Sequence, residues 1–238
     1  MLAPSLSSGG VAHATMLAVL TTDGVVEAEV LRAALAEGTA TTFNRITVDG
    51  AQSTNDTVLL LASGASGASG ARPEPGDLVE AVRAVCRDLA GQMLADAEGG
   101  TKVVSVQVGG AGPVEEALAV ARRVADSPLV KTAVYGGDPN WGRVLQAAGT
   151  AGVSFDSGTM RLEVAGGPGA AGIEPPVGGL ERVVLVERGR PTGADAAAAM
   201  ARREIELRLH LGGPGPWAEI RTSDLTPEYV RLNSEYTT

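Results

Sequence analysis

Apolar positions along this chain recur with two periods, one helical and one alternating. Residues 16–22 form an apolar run that closes on Thr21-Thr22-Asp23-Gly24, which predicts a buried strand followed by a turn. Val26, Val30, Leu31, Ala34 and Leu35 fall at helical spacing and predict a helix within 25–43. Residues 58–62 predict a second strand. Leu78, Val82, Val85, Cys86, Leu89 and Met93 mark one face of a long helix. Val104, Val106 and Val108 alternate with Ser105 and Gln107, the pattern of a strand with one face buried. Pro113 opens a helix carrying Val114, Ala117, Leu118, Ala121 and Val124 on one face. The apolar run 129–135 reads as a strand, a short strand follows around 161–164, and another occupies 183–186. An alanine-rich helix is predicted over 193–203. The clearest alternation sets Ile205, Leu207, Leu209 and Leu211 against Glu204, Glu206, Arg208 and His210. Thr226 is placed to cap a last helix, with Pro227 at its first position.

Between these elements, 64–76 is a low-complexity Gly/Ala/Ser stretch that reads as a surface loop, and 165–179 is a glycine-rich break. No repeat is apparent. Several strands follow one another without a helix between them, so the pattern favours a layered α+β fold over a doubly wound sheet. The length of 238 residues and the 44% hydrophobic content suffice for one large domain or two small ones. Aromatics make up only 3%, so aliphatic side chains must fill the core. The net charge of −9, with no basic stripe, argues against nucleic acid as a partner. The single cysteine, Cys86, excludes an internal disulfide; at helical spacing among apolar neighbours it reads as a buried small hydrophobe, which allows a reducing compartment. No apolar run approaches the roughly 18 residues of a membrane span, and no basic-then-apolar leader is expected at the N-terminus.

The candidate chemistry begins at Ala14-Thr15-Met16-Leu17. On those residues alone, a threonine ahead of a strand is simply a β-former. The functional alternative is an N-terminal nucleophile. The hydroxyl attacks the preceding carbonyl, the chain breaks, and the freed α-amine becomes the base for the same hydroxyl. An α-amine suits that role because its ordinary pKa is about 7.7–8.0. One residue then supplies nucleophile and base, and the two histidines, His13 and His210, are not needed; His210 lies on the polar side of its strand.

A series of motifs then falls in one order. Met1-Leu2-Ala3-Pro4 is followed by Ala14-Thr15-Met16-Leu17 and Leu20-Thr21-Thr22-Asp23. Thr42-Phe43-Asn44-Arg45-Ile46-Thr47-Val48-Asp49-Gly50 and Ser53-Thr54-Asn55-Asp56-Thr57 come next. Glu98-Gly99-Gly100-Thr101-Lys102, Ser127-Pro128-Leu129-Val130-Lys131-Thr132-Ala133 and Gly137-Asp138-Pro139-Asn140-Trp141-Gly142-Arg143 follow. The end carries Asp224-Leu225-Thr226, Tyr229-Val230-Arg231-Leu232-Asn233 and Tyr236-Thr237-Thr238. Together they resemble the ornithine acetyltransferases of arginine biosynthesis, over about 15–238. The resemblance implies a layered α/β sandwich of the DmpA/ArgJ-like type. It implies cleavage between Ala14 and Thr15, and an acetyl ester on Thr15 that carries the acetyl group of N-acetylornithine to glutamate or, in a side reaction, to water. It further implies substrate contacts from Thr15, Glu98, Asn233 and Thr238, with no metal and no bound cofactor. Acetyl-CoA is a co-substrate in bifunctional members, and its use here stays open. Glu98 taken alone reads as a solvated carboxylate at a helix end; within the family it pairs with the ammonium of ornithine. For 138–140 a turn is expected, and Arg143 is expected to pair with a buried carboxylate near the site. Residues 53–57 suit an Asx-type turn beside the site.

On the same resemblance, residues 1–14 correspond to the end of an alpha chain and the processing loop, and 15–238 to a beta chain. The beta chain divides into a nucleophile-bearing part, 15–150, and a C-terminal part, 151–238. The implied partner is the alpha chain, in a cytoplasmic assembly of two alpha and two beta chains. Three features depart from the family. The upstream half, which supplies the oxyanion donors, is expected to be missing, with Met1 matching an internal methionine. Residues 5–13 are longer than the family's link to Ala14, and the 64–76 loop is longer too. Two other readings stand beside the transferase: a hydrolase sharing Thr15, and an inactive remnant.

Overall fold

A computed structural model of the chain describes residues 16–69, 72–169, 171 and 180–235. Two parallel strands, β1 (Leu17–Thr22) and β3 (Thr57–Ala62), form a small sheet, in register from Leu17 against Thr57 to Thr22 against Ala62. The crossover between them carries α1 (Ala28–Ala40), a 3-10 turn at Phe43–Arg45 and the short strand β2 (Ile46–Thr47). A second 3-10 turn, Ala65–Ser69, leads towards α2 (Pro75–Ala95). α1 and α2 approach closely because Gly38 has no side chain: a Cβ there would lie 2.9 Å from Val82 Cγ1. Leu78, Val82, Cys86, Ala90 and Leu94 of α2 join Ala34, Phe43, Ile46 and the inward residues Ala18 and Leu20 in one core cluster. Burial pushes the Cys86 thiol pKa up, as suits a packing residue. Among the described residues only one face of the small sheet is covered, so β1 is half-buried rather than the buried strand expected. Leu17, Val19, Leu59 and Leu61 project from the other and are 74%, 57%, 46% and 53% exposed.

The remaining strands are β4 (Val103–Gly109), β5 (Arg161–Gly166), β6 (Val183–Glu187), β7 (Arg190–Pro191), β8 (Glu204–His210) and β9 (Ala218–Ser223). With β2 they make a seven-stranded sheet in the order β2-β9-β4-β8-β5-β6-β7. β4 runs parallel to β8 and antiparallel to β9, so the sheet is mixed. The apolar sides of β4, β5 and β8 pack beneath α3 (Val114–Ala125), α4 (Pro128–Tyr135) and α5 (Trp141–Gly149) in a second cluster. A four-residue helix, α6 (Ala197–Met200), seats Met200 in the same cluster, and α7 (Pro227–Glu235) closes the described chain. The layered α+β architecture is the one expected.

Four local readings change. Residues 129–135 are a helix, not a strand. Ser127 Oγ accepts from the Val130 amide, Pro128 takes the first turn, and burial at Val130, Lys131, Ala133 and Val134 follows the helical period. β4 is covered on both faces. Val104, Val106 and Val108 face the helices, while Ser105, also fully buried, donates to Glu219, and Gln107 donates to Glu206 at 3.0 Å. The helix expected over 193–203 shrinks to α6, because Gly193 adopts φ +76° and the Thr192 hydroxyl accepts from the Ala194 amide, holding that stretch as a turn. The 64–76 segment is not all loop. Ser66 is tied through both its amide and hydroxyl to the Asp23 carbonyl, and α2 already begins at Pro75. α5, β2, β7 and β9 have no counterpart in the sequence reading.

Candidate active site

Ala14, Thr15, His13 and Thr238 lie outside the described residues, which begin at Met16. What the structure gives is the frame on either side of them. Met16 is held twice: its amide donates to Asp56 Oδ1 at 2.9 Å, and its carbonyl accepts from the Thr57 amide at 2.8 Å. The residue following Thr15 is thus fixed to the start of β3. The 53–57 segment turns there through a serine rather than the Asx-type turn expected: the Ser53 hydroxyl accepts from the Asn55 amide at 3.1 Å. Beside Met16 opens a cavity of about 460 Å³, lined by Asp56, Leu35, Phe43, Val58 and Met93 among others.

Glu98 sits just past the end of α2, in a tight turn closed by the Gly100 amide on the Ala97 carbonyl at 2.8 Å. Gly99 takes φ +65°, and α7 crosses directly over it: a Cβ on Gly99 would lie 2.5 Å from the Tyr229 amide nitrogen. The Thr226 hydroxyl bridges the two, donating to the Gly99 carbonyl at 2.6 Å and accepting from the Tyr229 amide at 3.1 Å. Thr226 therefore caps α7, as its position predicted, and also staples that helix to the turn. On the facing side of α7, Asn233 Nδ2 donates to Glu98 Oε2 at 3.2 Å and to the Tyr229 carbonyl at 2.9 Å. Glu98 is 8% exposed and borders a cavity of about 400 Å³ with Gly99, Gly100, Arg231 and Leu232. Two of the residues named for substrate contact, Glu98 and Asn233, are brought together although 135 positions separate them.

Three residues absent from the candidate set complete this frame: Asp49, Asp56 and Tyr229. The Tyr229 hydroxyl donates to Asp49 Oδ2 at 2.8 Å, and Asp49 Oδ1 accepts from the Ala51 amide at 2.8 Å. Burial first, and then the neighbouring carboxylates of Asp49 and Glu98, hold the Tyr229 phenol well above its ordinary pKa, so it stays a neutral donor.

The other motif segments serve as supports. The Asp224 carboxylate accepts from the Thr101 amide at 2.8 Å and the Lys102 amide at 3.0 Å, joining 98–102 to 224–226. Lys102 Nζ donates to the Val134 carbonyl at 2.6 Å and the Met200 carbonyl at 2.8 Å, so it satisfies the C-terminal ends of α4 and α6. Lys131 is 3% exposed, and its ammonium donates to Thr222 Oγ1 at 2.8 Å and to the Ser223 carbonyl. Burial lowers its pKa to about 8 against the opposing pull of Asp224, Asp126 and Asp49. Among the described residues Arg143 does not form the expected pair with a carboxylate. α5 lies beside α4, and Arg143 Nη1 donates to the Leu129 carbonyl at 3.0 Å. Asn140, in the same motif, caps α5 through its side chain on the Arg143 amide at 3.1 Å. His210 lies on the polar side of β8 but is half covered, with its ring 5.6 Å from that of Trp217. Among the described residues, no group of three or more His, Cys, Asp or Glu is arranged to hold a metal ion, and no helix is long and apolar enough to cross a membrane.

The family model described as the ArgJ family matches residues 1–238. The chain belongs to the ArgJ family. It is 48% identical over 236 residues to the arginine biosynthesis bifunctional protein ArgJ of Mycobacterium leprae (strain TN), a match covering 99% of this chain and 52% of that protein. The ArgJ protein of Thermobifida fusca (strain YX) is 41% identical over 239 residues, covering 100% of this chain and 55% of that one. The chain thus spans about half the length of the curated ArgJ relatives it matches. The crystal structure of the ArgJ protein of Bacillus halodurans superposes with a TM-score of 0.79 at 35% identity, over 93% of this chain and 100% of that one.

Proposed function

We propose that this chain is the nucleophile-bearing part of a glutamate N-acetyltransferase and that Thr15 carries the acetyl group. The precursor cleaves between Ala14 and Thr15, and the freed α-amine becomes the base for the Thr15 hydroxyl. That hydroxyl, its proton passing to the amine, attacks the acetyl carbonyl of N-acetylornithine. The C–N bond breaks, the proton returns to the departing amine of ornithine, and an acetyl ester remains on Thr15. The amine of glutamate then attacks the ester, giving N-acetylglutamate and restoring the hydroxyl. Acetyl-CoA serves as a second donor in the bifunctional form of this reaction. No metal and no bound cofactor enters it. Glu98 receives the substrate's ammonium, while Asn233 and Thr238 hold its α-carboxylate and α-amine.

The observation that carries this reading is the contact between Glu98 and Asn233, at 3.2 Å, beneath a helix stapled to the Glu98 turn. A buried acid and an amide converging from distant segments form a polar site suited to an amino acid. The clamp on Met16 supports a fixed Thr15, as a nucleophile requires.

The reading includes a partner, an upstream alpha half, in a cytoplasmic assembly of two alpha and two beta chains. Two observations support it: the chain spans about half of its curated relatives, and among the described residues the small sheet leaves Leu17, Val19, Leu59 and Leu61 uncovered. Two strands alone make a marginal sheet, and an apolar face of this kind suits further strands laid on it. The same partner supplies the oxyanion donors, each contributing about 10²–10³ in turnover.

The test uses the protein with its upstream half. Mass spectrometry should find a fragment beginning at Thr15, and acetyl transfer from N-acetylornithine should depend on glutamate. Thr15→Ala should abolish both processing and transfer, while Thr15→Ser retains part of each. A processed, active Thr15→Ala protein refutes the nucleophile. Acetyl release that is indifferent to glutamate refutes the transferase in favour of a hydrolase.

A further inference from the structure

The polar groups nearest Glu98 form a chain that runs from Asn233 through Tyr229 to Asp49. Asn233 depends on Tyr229, whose carbonyl takes one amide hydrogen of Asn233 at 2.9 Å while Glu98 takes the other at 3.2 Å. Tyr229 in turn is fixed at three points: its amide on the Thr226 hydroxyl, its backbone against Gly99, and its phenol on Asp49 at 2.8 Å. The first two lie along the turn and the helix itself. The third reaches across to a different segment, 180 residues earlier in the chain. Asp49 is anchored there by the Ala51 amide at 2.8 Å, at the head of the loop that ends in Asp56, the residue holding the Met16 amide.

We infer that Tyr229 and Asp49 are positioning residues for the amino-acid site. Their hydrogen bond fixes the rotation of α7 over the Glu98 turn, and so sets Asn233 against Glu98. This rests on the transferase reading above. α7 needs such a device because its packing is weak. None of its residues is fully buried, and its Arg231 pairs only with Glu228 and Glu235 of the same helix among the described residues. A helix held by so little apolar surface can roll about its axis, and the Glu98–Asn233 contact is sensitive to that roll. Because Asp49 belongs to the loop that runs to Asp56, the Tyr229–Asp49 bond also ties the site's roof to the segment that holds the nucleophile's neighbour.

The experiment compares four variants in the protein carrying its upstream half: Tyr229→Phe, Asp49→Ala, Asp49→Asn and the double variant Tyr229→Phe/Asp49→Ala. KM and kcat for N-acetylornithine, the fraction cleaved at Thr15, and the dissociation constant of ornithine by calorimetry are measured for each. Tyr229→Phe and Asp49→Ala should each raise KM and the ornithine dissociation constant by about tenfold, the scale of one hydrogen bond to a charged group. Both should leave kcat within about twofold and cleavage intact, since the reacting groups are not touched. Asp49→Asn keeps a partner for the hydroxyl and should restore the wild-type KM. The double variant should be no worse than either single one, because both remove the same bond. Wild-type KM in Tyr229→Phe, a loss in kcat alone, or additive losses in the double variant overturn the inference while leaving the transferase standing. A wild-type protein that neither binds ornithine nor transfers acetyl overturns the transferase reading and this inference with it.

Discussion

Replacing Lys131 with methionine should alter how stability depends on pH more than stability itself. The lysine pKa is lowered from 10.5 to about 8 by burial, against the pull of Asp224, Asp126 and Asp49. Because the folded value lies below the unfolded one, the unfolded chain holds more protons between them, and stability rises with pH across that window. Below about pH 8 both states are protonated and the burial cost is fully present, at about 3 kcal/mol for such a shift. The methionine removes that cost. It also removes the ammonium from Thr222 Oγ1 and the Ser223 carbonyl, which keep only the hydrogen bond that Thr222 Oγ1 donates to that carbonyl at 3.3 Å, at about 1–3 kcal/mol for the weakened pair. The two effects nearly offset at neutral pH. Their pH dependence does not, since methionine has nothing to titrate. The unfolding free energy of the wild type minus that of Lys131→Met should therefore increase by about 2 kcal/mol between about pH 7 and about pH 9.5. Lys102, Cys86 and Tyr229 are shifted as well, but they are present in both proteins and drop out of the difference. Urea unfolding followed by circular dichroism at half-unit pH steps gives the curve. Two parallel stability profiles would refute the buried ammonium as drawn.

Two further outcomes follow from the Glu98 turn. Glu98→Gln keeps the shape and the acceptor for Asn233 but loses the charge, so KM for N-acetylornithine should rise about tenfold or more with cleavage at Thr15 unaffected, as steady-state kinetics and mass spectrometry will show. Gly99→Ala must fit a side chain at φ +65° against the Tyr229 backbone, and should cost about 2–4 kcal/mol, read as a lowered melting temperature, together with a raised KM because α7 is displaced.

The elements legible in the sequence are those whose burial follows one clean period. α2 and α3 bury every third and fourth residue, and β8 alternates apolar with polar side chains, although Glu206 on its polar side is buried as well. The apolar run of α4 resembles a strand. The decisive signal was the cap, Ser127-Pro128, just ahead of it. α5 buries only Val144, Ala147 and Ala148, and two of these are too small to stand out. β9 does alternate Ala218 and Ile220 with Glu219 and Arg221, but it follows Gly212-Gly213-Pro214-Gly215-Pro216, which reads as loop. In the candidate site, Glu98 and Asn233 were reached through the family resemblance, since a carboxylate at a helix end and an amide near a chain end carry no local signature. Asp56 and Asp49 stand within motifs whose residue types carry no local sign of their role. Their partners, Met16 and Tyr229, stand 40 and 180 residues away, and no spacing rule spans such distances.

The small parallel sheet has a consequence for how such a protein can be made. Among the described residues β1 and β3 pair only with each other, so each keeps one row of backbone donors and acceptors unpaired beside an apolar face. Open edges of that kind recruit whatever strand arrives first, including one from an identical copy. On the proposed reading, two halves synthesised apart would meet as strangers, each already prone to self-association. Synthesis as one continuous chain places the correct strand next to the edge from the outset, at the high local concentration a tether provides. Cutting that chain only after the sheet is complete then separates the order of folding from the order of covalent change. On that reading, the peptide bond before Thr15 acts first as a guarantee of assembly and only later as a substrate.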